Sequence, residues 1–240
     1  MEIFKGLVTF FSKHYWFLLL IVVFISYGQI LGMYVWKDDN AIFFKFTHLS
    51  EPAGYLGTGL FGGGPYRFSV TPYWFVYKIF GYENTVPFYV LTLFFYFLAT
   101  FSVYKLFSQI ISEKVGKLAG FLFAAGYIGS EGFMWLASSM IQSVSIILSS
   151  ITLILYYLYS VKGKLYLFFL SLLFYFLTIQ ITPVRVHYLI LVLILFDFFW
   201  IRKDLKIRSL LLFLLRTLVM TSIFFWVYTG LSDQRTTLVV

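Results

Sequence analysis

The chain has no cysteine, five prolines and three histidines, and only 12% of its 240 residues carry a formal charge. Each shortage excludes something. Without cysteine there is no disulfide framework, no thiolate nucleophile and no thiolate-held metal or iron–sulfur centre. His14, His48 and His187 are too scattered to make a metal motif. So few charges cannot coat a soluble globule of this length. What is present instead is apolar: 61% hydrophobic residues, 23% aromatic ones and a mean hydropathy of +0.89. The composition is that of an integral membrane protein.

A helix needs roughly 20 apolar residues to cross the hydrocarbon core, and fewer where neighbours bury its ends. Read on that rule, the sequence is all-α with about seven spans: Tyr15 to Trp36, Val86 to Ile110, Val115 to Ser130, Phe133 to Ser160, Leu165 to Gln180, Val184 to Trp200 and Ser209 to Leu231. The first lacks a cleavage site and reads as an uncleaved signal anchor. Gly116, Gly120 and Ala124 recur four apart in the third, where they let another helix approach closely.

Net charge is +8, but its distribution matters more than its size. Lys5, Lys13, Lys105, Lys114, Lys117, Lys162, Lys164, Arg202, Lys203, Lys206 and Arg208 fall on one side of the alternating spans. The opposite side holds Lys37, Lys45, Arg67, Lys78, Arg185 and Arg235, diluted by Asp38, Asp39, Glu51, Glu83, Glu131 and Asp233. The positive-inside rule makes the amino terminus cytoplasmic and the carboxy terminus extracytoplasmic, in a multi-pass protein of the plasma (inner) membrane. The basic excess is then a topology signal and implies no nucleic-acid partner. Arg216 lies inside the seventh span, where it snorkels or pairs internally. Beyond Arg216, Gln142 and a run of serines in span four, the spans read as nearly bare, and no inverted repeat stands out. Both features weigh against a transmembrane transport path.

The connection from Lys37 to Thr85 is the longest in the chain, and loops of such length are usually functional or disordered. Its segments "AIFFKFTHLS" and "TPYWFVYKIF" are aromatic and amphipathic, and read as two short helices in the membrane interface. Between them "GTGLFG", Gly57 to Gly62, has the GxGxxG spacing of a dinucleotide loop. It has neither the preceding buried strand nor the following helix that motif needs, so it reads as a tightly turning loop.

Candidate chemistry collects on the same outer side. Asp38 and Asp39 follow the first span as a carboxylate pair; they either hydrate a helix end or supply a general base made effective by positioning and partial desolvation. Glu131, in the turn before Trp135, is either a solvated turn residue or a second acid that orients an acceptor or holds a divalent cation. Arg185, Arg67 and Lys78 are candidates for a lipid phosphate, which an arginine can hold through two parallel N–H donors. Acids for proton transfer and cations for phosphate on one membrane face imply a phosphate-bearing lipid substrate.

In order and position, "WKDDNAIFF", "GGGPYRFSVTPYWFVYKIFG" and "AAGYIGSEGFMWLASS" resemble the membrane-embedded GT-C glycosyltransferases, of the protein O-mannosyltransferase and aminoarabinose transferase type. The resemblance covers nearly all of residues 1–240, with the extracytoplasmic loop at 37–85. It implies transfer of a sugar from a polyprenyl-phosphate donor to a hydroxyl of a lipid, glycan or protein acceptor, with inversion at the anomeric carbon. Carried over, it makes Asp38 the general base, Asp39 its neighbour, Glu131 the second outer acid and Arg185 a phosphate ligand, and leaves open a divalent metal cation as cofactor. Members of that family continue beyond the point where "LSDQRTTLVV" ends here, so the chain corresponds either to their amino-terminal part or to a minimal core. The rival expectation is a non-catalytic membrane protein: a transporter of a lipid-linked or small polar solute, or an inactive fragment.

Overall fold

The computed structural model describes residues 10–33, 67–126, 136–181, 188–198 and 207–236. Among them all regular structure is helical, and four helices are long and apolar enough to cross a membrane. This is a multi-pass all-α membrane protein. The helices are α1 (Tyr15–Tyr27), extended by a 3-10 turn over Gly28–Gly32, α2 (Arg67–Phe80), α3 (Val86–Ile110), α4 (Glu113–Ala125), α5 (Leu136–Lys162), α6 (Leu165–Ile181), α7 (Leu189–Phe196) and α8 (Ile207–Thr236). Their contacts divide the chain into two compact units. Unit 1 takes Met1–Pro52 and Ser69–Ile147, unit 2 takes Ala53–Phe68 and Leu148–Val240, and α5 supplies residues to both.

Local chemistry sets the ends of these elements. At the start of α3, the Asn84 side chain accepts from the Val86 amide at 3.1 Å, and proline in the first turn removes a donor that would have no partner there. Ser112 caps α4 by accepting from the Val115 amide at 3.3 Å. In that first turn Lys117 meets Glu113 at 2.7 Å, and this hydrogen bond holds the Glu113 carboxyl below its ordinary range. Gly163 ends α5 with a φ of 65°, a left-handed conformation that glycine adopts without strain, and returns its amide to the Tyr159 carbonyl at 2.8 Å.

The third expected span is a 13-residue helix, α4, too short by length alone to cross hydrocarbon. It packs closely because its small residues face inward, with Gly116, Gly120 and Ala124 all buried. A Cβ on Gly116 would sit 1.9 Å from the Ser108 hydroxyl and 2.7 Å from the Tyr104 carbonyl oxygen, so α3 and α4 meet nearly backbone to backbone. In unit 2, Tyr156, Phe168, Tyr175, Ile179, Leu189, Leu193, Met220 and Val227 from α5, α6, α7 and α8 form one buried cluster.

Candidate functional site

Unit 1 is tied together by hydroxyl side chains that answer backbone carbonyls. Hydrocarbon offers no water, so each carbonyl at a helix end needs a partner from the protein. Tyr96 of α3 donates to the Phe123 carbonyl in the last turn of α4 at 2.6 Å, and Tyr27 of α1 donates to the carbonyl of Gly126, the residue after that helix. At the other end of α4, Tyr15 donates to the Lys117 carbonyl at 2.6 Å. Thr85, just before α3, donates to the Met33 carbonyl at 3.2 Å. The Tyr73 hydroxyl of α2 lies 2.6 Å from Thr92 of α3 and 2.8 Å from Ser139 of α5, all three buried.

These bonds are spread from the start of α3 to its middle, where Tyr96 is the eleventh of 25 residues. The end of α1 meets the start of α3, the end of α4 meets α1 and α3, and α2 is pinned to α3 and the start of α5. The basic residues of α3 and α4 stand toward the other end of α3 from Thr85, where Lys117 reaches the Ser12 carbonyl at 3.5 Å and stands over the Tyr15 ring, and Lys105 stands over Phe101 and Tyr104.

Of the residues singled out from the sequence, Asp38, Asp39, Glu131 and Arg185 lie outside the described residues, as do His48, His187 and the expected helix in "AIFFKFTHLS". Arg67 is the first residue of α2, and its side chain is not among those described. Lys78 is described: it is exposed on α2, with its ammonium 5.2 Å from the Trp74 ring centroid and 5.8 Å from that of Tyr77. Beside it Phe75 and Ile79 are exposed, whereas Tyr73 and Trp74 are buried. The second expected loop helix therefore exists, and one aromatic face of it docks on the unit. Among the described residues no three histidine, aspartate or glutamate side chains converge as metal ligands would.

The expectation that the spans are nearly bare is corrected in unit 2. Asp197, at the end of α7, is 1% exposed and takes two hydrogen bonds from Arg216 of α8, through Nε to Oδ2 and Nη2 to Oδ1, each 2.8 Å. Tyr156 of α5, fully buried, donates to the same Oδ2 at 2.9 Å. Arg216 thus pairs internally and does not snorkel. The sequence carried the signal in "LFDFFW" and "LLRTL": one lone acid and one lone base, each inside an apolar run, in consecutive segments. The serines of α5 behave differently. Ser145 and Thr152 return their hydroxyls to the Ile141 and Leu148 carbonyls of their own helix, and Ser139 lies within reach of both the Leu136 carbonyl and the Tyr73 hydroxyl.

Compared with protein-family models, curated proteins and solved structures, the chain matches none.

Proposed function

We propose that the chain is a membrane glycosyltransferase of the GT-C kind, a core of about seven spans with the amino terminus in the cytoplasm of a plasma (inner) membrane. It moves a sugar from a polyprenyl-phosphate donor to an acceptor hydroxyl on the outer face. One observation carries the reading. Met33, the last described residue before the acidic pair, accepts from Thr85 at the start of α3; Gly126, the last before the Glu131 turn, accepts from Tyr27 of α1; and Tyr73 of the Lys78 helix is bonded to Ser139. Asp38 is five residues beyond Met33, and Glu131 is five beyond Gly126. Lys105 and Lys117 stand toward the other end of α3 from Thr85, which supports assigning the Thr85 end to the outside.

In the reaction the acceptor oxygen attacks the anomeric carbon as the bond to the donor phosphate breaks. Asp38 takes the acceptor's proton, and the leaving phosphate carries away the electron pair. An aspartate of ordinary pKa, ~3.9, is a weak base, so positioning supplies much of the rate. Charge growing on the phosphate calls for fixed cations, the role given to Arg185, Arg67 and Lys78. The test is transfer of labelled sugar from a polyprenyl-phosphate donor in proteoliposomes. Asp38→Asn should lose roughly 10²- to 10⁴-fold of the parent's rate. Unchanged transfer in that variant removes the base assignment, and no transfer by the folded parent removes the transferase.

A second reading, a non-catalytic membrane protein that moves a lipid-linked or small polar solute, is favoured by the Asp197–Arg216 pair, because ionised residues inside spans often mark solute or ion paths. Uptake of such a solute by the same proteoliposomes, without sugar transfer, is its signature.

A further inference from the structure

We propose that Tyr156, Asp197 and Arg216 form a latch that makes α7 and α8 enter and remain in the membrane as one hairpin. The inference goes beyond the transferase reading and does not depend on it. α7 is apolar along its described length, Leu189–Phe196. Its end carries Asp197, at a turn that widens from α to π geometry over Asp197 and Phe198. α8 has ample length but carries Arg216 within its apolar window Leu210–Val227. Alone, each helix brings one uncompensated charge into hydrocarbon, and each such charge disfavours insertion by about 100-fold, or about 2.7 kcal/mol.

Together the two charges cancel. The guanidinium meets the carboxylate side-on, with one N–H on each oxygen, so both acceptors are satisfied in a fixed orientation. Tyr156 adds a third donor to Oδ2 from α5, a helix that precedes both in the chain. Asp197 can therefore meet a neutral hydroxyl donor before its cation arrives, 19 residues later in the sequence. The carboxylate is buried and the guanidinium mostly so, and the Tyr156 ring beside them belongs to the apolar cluster of this unit.

The absence of cysteine makes the latch testable in the full chain. A single thiol at Tyr188→Cys, an exposed position at the start of α7, reports the side of the membrane it faces through an impermeant maleimide added to sealed vesicles. In the otherwise unaltered chain it should label from one side only. Asp197→Asn leaves Arg216 unpaired, and Arg216→Gln leaves Asp197 unpaired. Each should lower the ratio of correctly to wrongly sided thiol by about 100-fold. The neutral double variant Asp197→Asn/Arg216→Gln, or the exchange Asp197→Arg/Arg216→Asp, should recover most of that ratio, which a mere loss of side-chain volume would not allow. Single variants that label like the parent overturn the latch. So does failure of both the neutral pair and the exchange to improve on the single variants. Sidedness is read without sugar transfer, so neither result bears on the transferase reading.

Discussion

Tyr96 is almost fully buried on α3 and spends its hydroxyl on the Phe123 carbonyl, one of the last-turn acceptors that α4 cannot satisfy by itself. Tyr96→Phe keeps the ring and its contacts with Tyr27 and Phe123 but strands that acceptor. A stranded buried polar group costs about 1–3 kcal/mol, so the variant should unfold earlier in detergent by that amount. An unchanged midpoint would mean that the carbonyl finds another donor. The sequence reveals that this chain is rich in tyrosine, but not which rings turn their hydroxyls toward another helix. Tyr27 and Gly126 are 99 residues apart, and Tyr96 and Phe123 are 27 apart. Local pattern contains no such pairing. Asp197 makes the same point with charge: a single acid barely lowers the hydropathy of its run, and its meaning rests on a base in a different helix.

At the scale of elements, hydropathy did well where a helix is long. The expected span Val86 to Ile110 has the bounds of α3, and the expected span Leu165 to Gln180 differs from α6 by one residue. It did less well at α4, whose helix ends at Ala125, short of the expected Ser130. An apolar run records tolerance of hydrocarbon, whereas a helix end records capping and packing. The helix α2 illustrates the second. Its aromatic composition suggested an interfacial helix, and Tyr73 bonded to Thr92 and Ser139 is what fixes it to unit 1. Tyr73→Phe removes both bonds, and Ser139→Ala removes one. Hydrogen exchange of the α2 amides should quicken by roughly tenfold or more in the tyrosine variant, and by less in the serine variant. Equal exchange in both variants and the parent would mean that Trp74 and the rest of the apolar face suffice to dock the helix.

For the molecule as a whole, orientation is the property on which the proposed chemistry depends. Tyr82, between α2 and α3, and Ile111, between α3 and α4, are both exposed and belong to opposite ends of α3. In a chain without native thiols, Tyr82→Cys should label from outside intact cells, and Ile111→Cys only after the membrane is opened. The reverse pattern would put the Tyr82 end of α3 in the cytoplasm and end the proposal of outer-face sugar transfer. Sequence alone determined that this chain lives in a membrane as helices, because so much apolar surface and so few charges leave it no other solvent, and a span must satisfy its own backbone there. The tertiary structure alone decided that Asp197 and Arg216 neutralise each other, that tyrosines close the end of α4, and that α2 is pinned beside α3. Each of those depends on a distance of about 3 Å between residues far apart in the chain, and no local pattern of hydropathy encodes such a distance.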